Sequence, residues 1–129
     1  MSHSVNIKTQ FKNISNLLQQ FEKQGWCIQM NQKCTTYPSD PRRDETHPYV
    51  AKNPKQGGYD IGINKDNEGN AYFICDFFDT SIQQQLGKNL QKIRQGYALD
   101  EIKSFMENEE MEYRIDTLES GELVVIAEK

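Results

Sequence analysis

Between Tyr59 and Phe78 two strand-like runs flank a single turn, and that arrangement constrains the fold more than any other feature of the chain. Tyr59, Ile61 and Ile63 alternate with Asp60, Gly62 and Asn64, and Asp66-Asn67-Glu68-Gly69-Asn70 then carries turn chemistry. Ala71 to Phe78 follows as a run that is apolar through Tyr72, Phe73, Ile74, Phe77 and Phe78. Alternation buries one face of a strand, whereas a continuous apolar run reads as a strand covered on both faces. The segment predicts a β-hairpin whose second strand is central in its sheet.

Similar signatures recur on either side. Val5, Ile7, Thr9 and Phe11 alternate with Asn6, Lys8 and Gln10, which predicts a half-buried strand with Ile7 and Phe11 facing the core. Asn13 then offers a helix N-cap, and Ile14, Leu17, Leu18 and Phe21 form one apolar stripe that ends at Gly25. Trp26, Ile28 and Met30 alternate as a further strand. After Phe78, Thr80 or Ser81 caps a helix carrying Ile82, Leu86, Leu90 and Ile93; Gly96 breaks or kinks it, and a second helical segment carries Leu99, Ile102, Phe105 and Met106. Tyr113 and Ile115 begin a strand, Glu119-Ser120-Gly121-Glu122 turns, and Leu123 to Ala127 completes a closing hairpin. The order β-α-β-β-β-α-α-β-β, dominated by hairpins, predicts a single α+β domain over residues 1–129. Its sheet is mainly antiparallel, with helices packed on one face.

One stretch breaks the pattern. From about 37 to 58 the chain collects all four prolines, Pro38, Pro41, Pro48 and Pro54, together with Arg42, Arg43, Asp44 and Glu45, and ends on Gly57-Gly58. It is expected to be a long irregular loop, and loops of that length are usually functional or disordered.

The chain joins this pattern to a resemblance. Met1-Ser2-His3, Ile7-Lys8-Thr9-Gln10, and a helix from near Asn13 to Gly25 resemble the hypothetical chloroplast reading frame 35 family, a domain of unknown function in cyanobacteria and algal plastids. Tyr59-Asp60-Ile61-Gly62 is similar to that family's Tyr-Asp-Ile-Gly strand, Gln95-Gly96-Tyr97-Ala98 to its Gln-Arg-Tyr-Ala segment, and Glu119-Ser120-Gly121-Glu122-Leu123-Val124-Val125 to its final turn and strand. The likeness runs nearly end to end, with a divergent middle in which 37–58 has no counterpart. Leu99 and Asp100 stand where many members have Tyr and His, so any role of that pair is lost here. The resemblance implies fold and compartment, the plastid stroma or cyanobacterial cytoplasm, and no activity.

Charge and motif narrow the function classes. A net charge of -4 disfavours binding to duplex nucleic acid, which needs a basic footprint, although Lys88, Lys92, Arg94 and Lys103 are crowded together. Met1 to Phe11 lacks the apolar core of a signal peptide, and no window has the 18 apolar residues of a membrane span. Cys27, Cys34 and Cys75 fit free thiols in a reducing interior. With His3 and His47 they are the candidate metal ligands, but no Cys-x-x-Cys or His-x-x-x-His spacing exists, so no metal or other cofactor is expected. Gly57-Gly58 is too short for a phosphate-binding loop.

Three readings stay open. The first is a non-catalytic interaction or accessory module of a larger assembly, whose protein partner meets the loop through Tyr37, Arg42, Arg43, His47 and Tyr49. The acidic residues Glu107, Glu109, Glu110 and Glu112 offer a second surface, to a basic partner. The second is an enzyme or small-molecule-binding protein using a pocket of Asp76, Asp79 and Tyr97 at the end of the central strand. The third, single-stranded RNA binding by stacking on Tyr59, Tyr72 and Phe73, is disfavoured because core packing accounts for most strand aromatics.

Overall fold

A computed structural model of the chain describes residues 5–117 and 123–128. The closing turn expected at Glu119 to Glu122 and the candidate ligand His3 lie outside the described residues, as does the side chain of Ile7.

The α+β class and the expected order of strands and helices are present. Strands β1 (Val5–Phe11), β2 (Cys27–Lys33), β3 (Thr46–Lys52), β4 (Ile61–Lys65) and β5 (Ala71–Cys75) form one antiparallel five-stranded sheet in the order β1-β5-β4-β3-β2. β1 and β2 are its two edges. Helix α1 (Ile14–Lys23) crosses from one edge to the other, and β3, β4 and β5 then step back by hairpins until β5 meets β1. Helix α2 (Thr80–Leu86), a short 3-10 turn (Lys88–Leu90) and helix α3 (Gln91–Asn108) follow. Strands β6 (Glu112–Thr117) and β7 (Leu123–Glu128) make a separate two-stranded sheet.

The helices share one face of the large sheet, and the core lies between. Leu17 and Phe21 of α1, Leu86 of α2, Leu90 of the 3-10 turn and Ile93 of α3 are wholly buried against Ile61, Ile63 and Phe73 of the sheet. Phe21 stands edge-on to Trp26 and to Phe73, with ring centroids 6.2 and 5.9 Å away. Full burial of such side chains contributes about 1.5–3 kcal/mol each before entropy is charged. In β1 the register positions of Val5, Ile7 and Phe11 oppose Cys75, Phe73 and Ala71, with an irregularity between Lys8 and Phe11. That bulge interrupts the simple alternation read from Val5 to Phe11 and still returns Phe11 to the core.

Four expectations need correction. The stretch 37–58 is not irregular throughout, because Thr46–Lys52 within it is β3, an interior strand. Its Pro48 is tolerated because β4 pairs only with Tyr49, Val50 and Ala51, so no neighbour on that side needs a hydrogen at Pro48. The strand read as Ala71 to Phe78 ends at Cys75; Asp76 accepts from the Phe78 backbone N–H at 3.0 Å and turns the chain. The cap of α2 is Asp79, whose carboxylate accepts from the Ile82 N–H at 3.1 Å, rather than Thr80 or Ser81.

The helical break also falls elsewhere. Gly87, with φ of 81°, ends α2, and Asn89 and Leu90 continue the left-handed turn at φ of 53° and 57°. Leu90 offsets that strain by being wholly buried. Gly96, expected to break the helix, lies inside α3, where α3 approaches α1.

Candidate functional site

The connection from β2 to β3 winds tightly on itself. Successive turns run from Tyr37 to Asp40, Asp40 to Arg43 and Arg42 to Glu45, each closed by a backbone hydrogen bond of 3.0–3.1 Å. The buried Asp40 carboxylate accepts from the Thr36 hydroxyl and from the Arg42 N–H, both at 2.9 Å. Arg43 donates to the Pro38 carbonyl. The Tyr37 ring lies 6.3 Å from that of Tyr59. Of the five residues expected to face a partner, only Arg43 is exposed. Tyr37, Arg42 and Tyr49 are half-buried, and His47 is buried.

His47 closes a small polar cluster. Its Nδ1 is 3.1 Å from Asn64 Nδ2, which makes Nδ1 the acceptor. Its ring lies over Gly62, where a Cβ would stand 3.0 Å from the His47 Cγ. The absence of a side chain at Gly62 thus makes room for the imidazole. Cys34, Asp40, Arg42, His47, Asp60 and Ile74 surround a cavity of about 10 Å³, room for one water at most. Burial, with Asp60 adding to it, pushes the Cys34 thiol up to about 12, and burial holds the His47 imidazole below its usual value. A nucleophilic cysteine needs an electropositive setting and a base ready to take its proton. Here the thiol is held protonated, and the cluster is structural.

Asp60 is the centre of that structure. Its Oδ2 accepts from the Thr35 N–H at 2.7 Å and from Lys52 Nζ at 3.0 Å, and its Oδ1 accepts from the Asn53 N–H at 2.9 Å. The backbone N–H of Asp60 itself donates to the Thr35 carbonyl at 2.8 Å. One carboxylate therefore ties together the exits of β2 and β3 and the entry to β4. Nothing in the sequence distinguished this residue beyond its place in Tyr59-Asp60-Ile61-Gly62.

The alternative pocket is not assembled. Asp76 and Asp79 follow β5 at the end opposite Val5, whereas Tyr97 packs edge-on to Phe11, opposite Ala71 at the other end of the strand. A five-residue strand spans about 17 Å, so these groups do not converge. The Tyr97 hydroxyl accepts from the backbone N–H groups of Lys12 and Asn13, both at 3.1 Å, and so fixes the turn into α1. Asp79 is engaged as a helix cap. Asp76 is buried, and its Oδ2 finds no hydrogen-bond partner among the described residues.

A polar seam joins α1 to α3. Asn16 donates to the Tyr97 carbonyl and to Glu101 at 3.2 Å, and Gln20 donates to Asn16 at 2.7 Å and to Asp100 at 2.8 Å. Lys23 meets Asp100 at 2.9 Å, and this hydrogen bond, helped by that of Gln20, holds the Asp100 carboxyl below its ordinary range. Beside the seam an open groove of about 370 Å³ is lined by Asn13, Gln19, Asp100, Glu101, Lys103 and Glu107. Asp100 is part of the helix contact.

The aromatics proposed to stack on RNA do not form a platform. Phe73 is wholly in the core, Tyr59 lies against Tyr37, and Tyr72 is half-buried on the opposite side of its strand from Phe73. In the Lys88 to Lys103 region Arg94 donates from Nε to the Asn89 carbonyl at 2.6 Å, and its guanidinium is partly desolvated. Among the described residues no three His, Cys, Asp or Glu side chains are grouped to hold a metal ion, and no helix is long and apolar enough to cross a membrane.

The C-terminal part differs from all this. After Tyr97 no residue in 98–116 or 124–126 is buried, although Leu99, Ile102, Phe105, Met106, Met111, Tyr113, Ile115, Val124, Val125 and Ile126 are all large and apolar. Phe105 is 57% exposed, and Val124 and Ile126 are 38% and 41% exposed. Ile115 pairs with Val125, and Arg114 with Ile126. A two-stranded sheet is marginal in water without a further surface to cover it. No pattern beyond the ordinary alternation of a closing hairpin marked this unit in the sequence. Compared with family models, with curated proteins and with solved structures, the chain finds no match.

Proposed function

We propose that this protein is a non-catalytic interaction module of a larger assembly. Its contact surface is the outer half of α3 with the β6–β7 hairpin, in place of the 37–58 stretch that the sequence suggested. The observation that carries the reading is the run of large apolar residues after Tyr97, none of which is buried among the described residues. Large apolar side chains left uncovered in this number support a protein-contact site. By contrast, the clusters that contain candidate catalytic groups are engaged in structure: Asp79 caps a helix, His47 and Cys34 close a cavity too small for a substrate, and Tyr97 secures a turn. The family resemblance carried by Tyr59-Asp60-Ile61-Gly62 and the terminal segments is retained as part of the proposal, and with it a plastid or cyanobacterial setting.

Affinity capture of the tagged chain from its own cells tests the reading. The wild type is compared with Phe105→Asp, an exposed substitution expected to leave circular dichroism and unfolding unchanged. A protein captured by the wild type and lost with the variant is the expected result. The same captured set with both would move the surface elsewhere, and none with either would overturn the module.

A further inference from the structure

The structure assigns a second copy of this chain to the outer edge of β6: we infer that two hairpins join by antiparallel β6–β6 pairing about a two-fold axis at Ile115, giving the four-stranded sheet β7-β6-β6-β7. This rests on the interaction-module reading and names one of its partners. Among the described residues β6 pairs only with β7, and its other edge presents backbone groups that none of them pairs.

The charge order along the strand selects the partner. Glu112, Arg114 and Asp116 are exposed and share one face, reading negative, positive, negative. Arg114 Nε lies 3.4 Å from Asp116 Oδ2, with both side chains largely in solvent. Parallel pairing in register would set each charge beside its like. Antiparallel pairing about Arg114 would oppose Arg114 to Arg114 and Glu112 to Asp116, which is repulsive throughout. An axis at Tyr113 opposes Glu112 to Arg114 but brings Asp116 against Glu110. An axis at Ile115 opposes Arg114 to Asp116 of the partner copy, twice by symmetry, and over the same span of sequence, position 110 onward, matches no charge with its like.

The other face agrees with that register. Ile115 pairs with Val125 inside each hairpin, and both are half-buried. With Ile115 on the axis, four β-branched side chains, Val125, Ile115 and their two counterparts, stand side by side across the joined sheet. β-branched side chains pack well on a pleated surface, and cross-strand contacts are the unit by which a sheet is stabilised. A closed two-fold contact also removes both β6 edges at once, without propagating into a fibre.

Sedimentation equilibrium of the purified full chain tests the assignment. The wild type should dimerise, and Arg114→Glu should raise the dissociation constant by about tenfold or more. The double variant Arg114→Glu with Asp116→Arg should restore the dimer, because it exchanges the charges and keeps the pairing. In Ile115→Cys, mild oxidation should link the two copies through that position. Failure of the exchange to rescue, or a wild type that stays monomeric at hundreds of micromolar, overturns the second copy. If the wild type is monomeric yet captures a partner lost with Phe105→Asp, the module stands and the second copy at the β6 edge is overturned. A dimer without any captured protein leaves the second copy at that edge and overturns the contact surface around Phe105.

Discussion

Gly96 of α3 sits so close to Gln20 of α1 that a Cβ at position 96 would stand 2.2 Å from the Gln20 Oε1 and 3.0 Å from its Cδ. Gln20 is buried and held by hydrogen bonds to Asn16 and Asp100, so it yields only by giving those up. Gly96→Ala would gain up to about 1 kcal/mol of helix propensity. We expect a net loss of about 1–2 kcal/mol in urea unfolding, since a buried amide forfeits its partners. Gln20→Ala in the same chain should relieve the clash, so the two changes are strongly non-additive. A Gly96→Ala protein more stable than wild type would show that Gln20 swings aside freely.

Asp60 should be the most sensitive polar position. Asp60→Ala removes the acceptor for two backbone N–H groups and for Lys52, at an expected loss of about 3 kcal/mol. Asp60→Asn retains the shape and one acceptor oxygen and should lose less. Denaturant midpoints of the two variants measure the difference, and equal midpoints would mean that the retained acceptor oxygen contributes nothing.

His47 makes stability depend on pH in a definite direction. Burial lowers its folded-state pKa, outweighing the opposing pull of Glu45. The unfolded imidazole takes up a proton near 6.5, whereas the folded one does not until lower pH. The unfolded state therefore binds more protons in that window, so stability falls as pH drops from above 6.5 toward the folded pKa. His47→Gln should flatten this part of the curve. Urea midpoints of wild type and variant that fall in parallel between pH 7.5 and pH 5.5 would remove His47 as the source.

The three thiols should separate by reactivity. Cys27 is exposed, while burial raises the Cys34 thiol to about 12 and the Cys75 thiol also well above its ordinary value. Pulse alkylation at pH 8 followed by peptide mass spectrometry should label Cys27 first and the other two only on unfolding. Equal rates at Cys27 and Cys34 would contradict the closed cluster around His47.

The elements with a clean period were legible in the sequence, and the breaks were not. Leu17 and Phe21 fixed the buried side of α1, and Ile61, Ile63 and Phe73 fixed the hairpin of β4 and β5, because each lies on one apolar stripe. β3 was hidden by His47 and Pro48, which interrupt its alternation; the first is accommodated by Gly62 across the sheet, a tertiary fact absent from local pattern. Sequence puts the helical break at Gly96 and the structure puts it at Gly87, since Gly87 needs its positive φ and Gly96 needs its missing side chain, and composition does not distinguish these needs. The site was less legible still. His47 reads as a polar loop residue until β3 turns it inward, and Asp76, Asp79 and Tyr97 seem adjacent only until the length of β5 separates two of them from the third.

The order β1-β5-β4-β3-β2 also sets a sequence of events in time. Strands β2 to β5 join neighbours through short connections and can assemble as the chain leaves the ribosome. β1 cannot: Val5 lies opposite Cys75, so its pairing closes a loop of more than half the chain. Although β1 is made before the other strands of its sheet, it is thus the last of them to be placed. Until it docks, β5 remains an edge, and the nascent protein carries an apolar strand that β1 must reach before another chain does.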